Sequence, residues 1–180
     1  MMLLDVLAAF KKAGLLNMSY VVTSDAAALG RAKGAGALIV EEPRDEGVNA
    51  AVLAGMNARG RDADFMVVPS DLPSLTADEI ETALRLKRTF DCVLSPSRSF
   101  DGTNLLLFSP ESMPALSYDS DSFWNHVRGA ATKGITLAVC CGEGIMSDVD
   151  TPEDLRALSV SRRKTPSREF AREALKTRPS

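Results

Sequence analysis

The sequence lacks most of the patterns that mark secreted, membrane-spanning or disulfide-bonded proteins. Its three cysteines, Cys92, Cys140 and Cys141, are odd in number and two are adjacent, which excludes a disulfide framework and a CxxC metal site. No apolar run reaches 18 residues, so a transmembrane helix is not predicted. The start of the chain has no basic segment before its apolar residues and no signal cleavage pattern. We therefore expect a cytoplasmic protein whose thiols are reduced.

An excess of positive charge and the common nucleotide-binding motifs are also missing. The net charge is −3, so the composition gives no support for nucleic-acid binding. Neither GxGxxG nor GxxxxGK[ST] occurs in the chain. A dinucleotide enzyme or a P-loop NTPase is therefore not predicted.

The size of the chain suits one folded domain with a tail. Its 180 residues are 45% hydrophobic and 25% charged, which is ordinary for a globular domain that needs no disulfides. Residues 161–180 contain seven Lys or Arg against two Glu, and few large apolar side chains. We predict a domain over residues 1–160 and a basic tail over residues 161–180 that is flexible or docked.

Strand-like and helical segments alternate along the chain, which predicts parallel βαβ units. The predicted strands are 20–23, 37–40, 65–68, 91–95, 103–109 and 135–141, with a short extended piece at 145–149. The predicted helices are 3–13, 24–33, 48–59, 76–88, 121–133 and 151–160. The last of these is the clearest, because Thr151 can cap it and Pro152 stands at its first position.

An aspartate follows the strand that we predict to be central. The apolar run 65–68 ends in the turn Pro69-Ser70-Asp71-Leu72-Pro73. In open α/β sheets, ligands bind just beyond the carboxyl ends of the strands, which is where Asp71 stands. A carboxylate on such a short loop can hold a metal ion. The alternative is that Asp71 only orders the turn, as Asp often does.

A second acidic site is the pair Asp148 and Asp150. Together with Asp71 it would supply a few oxygen ligands from separate loops. Such a set suits Mg²⁺, which keeps several waters and binds substrate phosphates. The alternative is that Asp150 or Thr151 only caps the following helix.

Two segments have the features of an anion site. In the loop 97–104, Gly102 allows close approach of a ligand, while Thr103, Asn104 and Arg98 supply polar contacts. Residues 120–122 stand at a helix start, where free N–H groups point outwards. The alternatives are a plain loop and an ordinary helix start.

The predicted helix 121–133 contains the single histidine, His126, and the single tryptophan, Trp124, of the chain. We expect His126 to be a residue of the protein surface or of the boundary of the core, rather than a general base or a metal ligand. Trp124 is expected to pack.

Four motifs in order, PSDLPSLT, DGTNLLLFSP, SDSFWNH and DVDTPEDL, resemble the 2-phospho-L-lactate guanylyltransferase family. The likeness runs from about Met2 to Leu158. DLPxLT and DVDTPEDL recur across the wider nucleotidyltransferase group, which includes the molybdenum-cofactor guanylyltransferases, whereas GTNLLLFSP followed by SxSF is more particular. The resemblance implies an α/β protein with a three-layer α/β/α, Rossmann-like nucleotide-diphospho-sugar transferase fold and a mostly parallel sheet.

The resemblance also implies a reaction. GTP and a small phosphorylated carboxylic acid (2-phospho-L-lactate, phosphoenolpyruvate or 3-phosphoglycerate) would give a guanylyl diphosphate ester and pyrophosphate. This chemistry belongs to coenzyme F420 biosynthesis in archaea and some bacteria. The alternatives are another nucleotidyltransferase of the group and an inactive relative that acts as a binding module. The oligomeric state is open, with a homodimer among the options.

The resemblance assigns roles to particular residues. Asp71 and Asp150 would be catalytic and hold Mg²⁺, with Asp148 beside them. The phospho-acid would be bound by Thr103 and Ser122, with Gly102 and Asn104 in the same loop. The nucleotide would be approached by Gly47 and Asn49.

The chain departs from the family pattern at two places. Asp119 stands where relatives have a glycine ahead of the acceptor segment, and its charge would weaken binding of an anionic acceptor. Relatives also open with a strand and a loop rich in Lys and Arg, which this sequence does not show. We expect that the true start lies upstream, the alternative being a shortened relative.

Overall fold

Seven α-helices and six strands follow one another in the computed structural model, which describes residues 1–60 and 62–176. The helices are α1 (Met2–Lys12), α2 (Ala26–Ala35), α3 (Val48–Arg59), α4 (Ala77–Lys87), α5 (Ser122–Thr132), α6 (Pro152–Val160) and α7 (Pro166–Lys176). The strands are β1 (Tyr20–Thr23), β2 (Leu38–Glu41), β3 (Phe65–Val67), β4 (Cys92–Pro96), β5 (Thr103–Phe108) and β6 (Leu137–Val139). None of the helices in these ranges is long and apolar enough to cross a bilayer.

The strands form two sheets. β1 pairs with β2 in parallel, and a second sheet has the order β3-β5-β4-β6. β4 and β6 are parallel, but β5 runs antiparallel to both β3 and β4. β3, β4 and β6 thus share one direction, in agreement with the expected mostly parallel sheet, and β5 is the exception to the predicted parallel βαβ units. Only residues 97–102 join β4 to β5, and a parallel crossover needs a dozen residues or more.

Alternate side chains of β4 and β5 enter two different cores. Val93 and Leu107 pack with residues of α1 and α4 on one face, whereas Leu94 and Leu106 pack with residues of α3 and α5 on the other. All four are at most 1% exposed. Because strand side chains point alternately to opposite faces, a strand buried on both sides must have a helix layer above and below. This gives the three layers α/β/α.

Helix α7 packs against α6 and α1. The backbone N–H of Ser167, in its first turn, donates a hydrogen bond to Asp5 Oδ2 of α1 at 3.1 Å. Both residues are buried, and the carboxylate of Asp5 lies where the helix dipole of α7 is positive. Residues 166–176 of the segment that we predicted as a tail are therefore a docked helix, and residues 177–180 lie outside the described part.

Candidate functional site

Two loops meet beyond the carboxyl end of β3. The turn that follows β3 has Leu72 fully buried at its centre. The carbonyl oxygen of Asp71 accepts a hydrogen bond from the N–H of Val149 at 3.1 Å. This bond joins the loop of Asp71 to the loop of Asp148 and Asp150. The two acidic segments that the sequence separates by more than 70 positions therefore lie side by side.

The acidic side chains in these loops perturb one another. Within the described chain, Asp71 Oδ1 is buried and has no hydrogen-bond partner. Burial raises the pKa of Asp71, and the charges of Asp150 and Asp148 raise it further against the opposing effect of its own backbone N–H. Burial also raises the pKa of Asp150, with Asp148 and Asp154 acting in the same direction. Like charges held together in this way favour a cation between them.

The donor set is sparse. Among residues 1–60 and 62–176, no group of three or more His, Cys, Asp or Glu side chains is arranged to hold a metal ion. Asp148 Oδ1 accepts a hydrogen bond from Asn104 Nδ2 at 3.0 Å, which fixes that carboxylate from the side of β5. One unpartnered buried oxygen with a second carboxylate nearby fits Mg²⁺, which takes one or two carboxylates and fills its octahedron with water and phosphate oxygens.

The loop ahead of Asp148 is held by Glu79 of α4. Glu79 Oε1 accepts from the N–H groups of Gly144 at 2.8 Å and Ile145 at 3.1 Å. Its other oxygen accepts from the N–H and hydroxyl of Thr76, with which Glu79 forms a capping box at the start of α4. A side chain at Gly144 would collide with the carbonyl of Ser74, so glycine is required there. Residues 145 and 146 are consequently in a turn, and the extended piece predicted at 145–149 is wrong.

A cluster of buried hydroxyls lies at the start of β5. Thr103 is 4% exposed and Ser122, the first residue of α5, is 2% exposed. The Ser122 hydroxyl lies 3.1 Å from Thr103 Oγ1. Gly102, just before Thr103, packs against Ser97, whose hydroxyl accepts from the Gly102 N–H at 3.0 Å. Three of the four residues predicted to bind the acceptor are thus adjacent, while Asn104 contacts the acidic loop.

The single histidine completes this cluster. His126 is fully buried, so the expectation of a surface or boundary position is wrong. Its Nδ1 lies 3.0 Å from Thr103 Oγ1, and its Nε2 accepts from the N–H of Ser117 at 3.1 Å. Burial lowers the pKa of His126 to about 4. The i, i+4 spacing of Ser122 and His126 places both on one face of α5, which is a sequence signal that His126 lies near the predicted acceptor segment.

Trp124 is more exposed than expected, whereas His126 is more buried. Its side chain is 47% exposed and meets the ring of Phe123 edge-on, with 5.1 Å between the ring centroids. It is therefore a surface residue of α5 rather than part of either core.

The two residues predicted to approach the nucleotide stand at the start of α3. Gly47 precedes the helix with φ of 85°, a conformation that favours glycine. Asn49 Oδ1 accepts a hydrogen bond from the N–H of Tyr118 at 3.0 Å, in the segment that leads to Ser122. Within the described residues no hydrogen bond joins Gly47 or Asn49 to Asp71, and their nucleotide role stays a prediction.

A polar groove opens on the other side of Asp148. It has a volume of about 330 Å³ and is lined in part by Arg98, Arg162 and Arg163. Arg98 is anchored there, because its Nη2 donates to the hydroxyl of Ser147 at 2.7 Å. Positive side chains therefore lie beside the acidic loops.

The model of a family described as "Guanylyl transferase CofC like" matches residues 1–177. A 3-phospho-D-glycerate guanylyltransferase from Phenylobacterium zucineum is 35% identical over 89% of this chain and 75% of its own length. A phosphoenolpyruvate guanylyltransferase from Conexibacter woesei is 33% identical over 87% and 72%, respectively. A 2-phospho-L-lactate guanylyltransferase from Methanocaldococcus vulcanius is 28% identical over 88% and 72%.

Solved structures support the fold. A protein from Desulfovibrio desulfuricans described as a nucleotide-diphospho-sugar transferase superimposes with a TM-score of 0.66 at 16% identity, covering 95% of this chain and 82% of that one. A cytidylyltransferase from Leptospira borgpetersenii gives a TM-score of 0.61 at 12% identity, covering 97% and 82%. The predicted fold class is confirmed.

Proposed function

The chain belongs to the CofC-like guanylyl transferase family, and from that premise we propose that it transfers GMP from GTP to a small phosphorylated carboxylic acid. The three relatives differ in their named acceptors, which are 3-phospho-D-glycerate, phosphoenolpyruvate and 2-phospho-L-lactate. All three acceptors carry a phosphate and a carboxylate on three carbons. The product would be a guanylyl diphosphate ester of the kind used in coenzyme F420 biosynthesis.

The observation that carries this proposal is the buried, unpartnered Oδ1 of Asp71 beside Asp148 and Asp150. A buried carboxylate oxygen without a donor is costly unless a ligand supplies the missing contact. We assign Asp71 and Asp150 as the residues that would hold Mg²⁺, with Asp148 next to them. When bound, Mg²⁺ would neutralise charge on the phosphates of GTP and favour attack at the α-phosphorus.

The protein's own groups then have to position two anions. A phosphate oxygen of the acceptor forms the new bond to the α-phosphorus of GTP, and the bond from that phosphorus to the β-phosphate oxygen breaks, so that pyrophosphate leaves. Transfer of this kind depends on placement and charge more than on a protein nucleophile. Thr103 would donate to the acceptor with Ser122 beside it in the same site, and Asn104 would keep Asp148 in place. Gly47 and Asn49 are the residues proposed to lie near the nucleotide.

The acceptor segment carries one feature that bears on substrate choice. Asp119 is exposed within it, close to Ser120 and Ser122. Its negative charge opposes an anionic acceptor by Coulomb repulsion. Asp119→Gly should therefore lower the KM for the acceptor and leave the KM for GTP unchanged.

The experiment that tests the function is an assay of pyrophosphate release with Mg²⁺. GTP, CTP, ATP and UTP are each combined with the three acceptors. We expect release with GTP and at least one acceptor, and its loss with chelator or in Asp71→Asn. Glu81→Gln, which removes one carboxylate from an exposed position of α4, is the matched control and should keep full activity. Release with another nucleotide alone would replace the guanylyl assignment, and no release under any combination would refute the proposal.

A further inference from the structure

The buried histidine of α5 has no assigned part in the reaction described above. We infer that His126 is a positioning residue, which keeps the hydroxyl of Thr103 oriented as a hydrogen-bond donor toward the anionic acceptor. This inference rests on the proposed function for the identity of the acceptor. The orientation itself follows from the contacts of His126, Thr103 and Ser122.

The tautomer of His126 is fixed by the main chain. A backbone N–H can only donate, so the ring nitrogen that receives the N–H of Ser117, Nε2 at 3.1 Å, must carry a lone pair. In a neutral imidazole the proton then sits on Nδ1. Burial keeps the ring neutral, and a charged imidazolium would also set two donors against each other at Ser117.

The proton on Nδ1 makes Thr103 Oγ1 the acceptor in its hydrogen bond with His126. Nδ1 lies 3.0 Å from Thr103 Oγ1, so His126 donates and the threonine oxygen accepts. The hydroxyl of Ser122 has two acceptors in reach, Thr103 Oγ1 at 3.1 Å and the carbonyl of Asp101 at 3.5 Å. The shorter contact is the better hydrogen bond. With both lone pairs of Thr103 engaged, its own proton is left for a third partner.

The opposite tautomer would remove this donor. If Nδ1 were unprotonated, Thr103 would give its proton to the ring and would present only lone pairs to a phosphate or carboxylate. Two acceptors facing each other repel, whereas a hydroxyl donating to an ionised oxygen makes a strong hydrogen bond. The N–H of Ser117 therefore determines, through the ring, the polarity of a side chain on a different strand.

The segment that supplies the Ser117 N–H is itself held at several points. Asn125 of α5 donates to the Ser117 hydroxyl at 3.1 Å and to the carbonyl of Ser120 at 2.9 Å. Asn49 accepts from Tyr118 at 3.0 Å, and the ring of Tyr118 meets that of His126 edge-on at 4.9 Å between centroids. The main chain at Ser117 is thus held by residues of α3 and α5, so that its N–H has a fixed position relative to the ring of His126.

The first test is spectroscopic and uses the fact that the chain has one histidine. Tag-free protein labelled with ¹⁵N-histidine gives only two ring nitrogen signals. We expect Nδ1 to have the shift of a protonated nitrogen and Nε2 that of an unprotonated one, throughout the neutral pH range. In the presence of Mg²⁺, each of the three phospho-acids is then added in turn, with inorganic phosphate as a comparison. The acceptor used by the enzyme should shift the Nδ1 signal.

The second test asks whether His126 acts through Thr103. His126→Asn keeps a donor near Nδ1 but no acceptor for Ser117, whereas His126→Gln keeps an acceptor near Nε2 but no donor for Thr103. We expect His126→Gln to raise the KM for the acceptor on the order of tenfold, the usual effect of one hydrogen bond to an ionised group. The KM for GTP should stay the same, and His126→Asn should be less affected.

A double-mutant cycle separates positioning from a merely structural role. Thr103→Val removes the hydroxyl and Thr103→Ser restores it. If His126 acts through that hydroxyl, His126→Gln should raise the acceptor KM in the Thr103→Ser protein but add little in the Thr103→Val protein. Additive effects, or equal changes in the KM values of both substrates, would overturn the inference.

The outcomes distinguish this inference from the proposed function. A proton on Nε2 overturns the inference whatever the activity of the protein. Pyrophosphate release by the wild type with an unchanged acceptor KM in His126→Gln overturns the inference and leaves the function standing. Absence of release refutes the function, and in that case an Nδ1 signal that no phospho-acid shifts refutes the inference as well.

Discussion

Replacing Asp71 by asparagine should make the metal-free protein more stable while it abolishes activity. The side chain of Asp71 has a buried oxygen without a partner and lies beside Asp148 and Asp150, which raise its pKa further. In the absence of a cation, this buried and unpartnered carboxylate therefore lowers the free energy of unfolding. Asparagine has nearly the same shape, carries no charge and can donate to a neighbouring carboxylate.

The size of the effect follows from the cost of a buried unsatisfied polar group, about 1–3 kcal/mol. Because the side chain keeps part of its contact with water, we take the lower half of that range, about 1–2 kcal/mol. For a domain of this size each kcal/mol shifts Tm by about 2–4 °C. Asp71→Asn should thus raise Tm by about 2–8 °C in the presence of chelator.

Thermal unfolding followed by circular dichroism, with and without Mg²⁺ and GTP, measures this difference. A ligand at 100 times its Kd stabilises the folded state by about 2.7 kcal/mol. Wild type should gain that stabilisation and Asp71→Asn should not, so the order of the two Tm values should invert when the ligands are added. Glu81→Gln, which removes the same charge from an exposed position, should leave Tm almost unchanged. A lower Tm for Asp71→Asn in chelator would refute the reasoning.

Two other perturbations test the elements around the site. Glu79→Gln should destabilise the protein by about 2–3 kcal/mol in urea unfolding. The reason is that the amide NH₂ group would face N–H donors, either at Gly144 and Ile145 or at Thr76. A loss no greater than that of Glu81→Gln would contradict the role given to Glu79. His126 has a pKa of about 4 when folded and about 6.5 when unfolded, so the unfolded state binds more protons between these values and stability falls as pH falls through that window. The loss amounts to about 2 kcal/mol between about pH 7.5 and about pH 5, and this slope should be absent in His126→Gln; equal slopes in the two proteins would show that the ring is not held neutral.

Local signals in the sequence were sufficient for most helices. Thr151, Pro152 and Asp154 define the start of α6 by contacts within four residues, and the structure has the corresponding capping box. The capping box at Thr76 and Glu79 is likewise present. Such contacts can be predicted because both partners are close in the chain and their spacing is fixed by the helix.

The site could be predicted only in part, for a physical reason. Asp71 and the pair Asp148 and Asp150 could be proposed from the sequence because each lies in a loop after a short apolar stretch. The burial of His126 depends on Thr103 and Ser117, which belong to other segments of the chain. No local sequence pattern therefore predicts which residues the ring contacts. Glu79 shows the same limit, since its bonds to Gly144 and Ile145 span about 65 positions.

The contact between Asp5 and Ser167 has a consequence for synthesis of the protein. The two residues are separated by 162 positions, so the hydrogen bond cannot form until residue 167 has left the ribosome. At about 5–20 residues per second, that interval is on the order of 8–30 seconds. Throughout it, the carboxylate of Asp5 must remain in contact with water, because no donor of α7 yet exists to replace its hydration. Since α2 and α4 can pack against α1 earlier, the docking of α7 onto Asp5 is the late step in the burial of this helix.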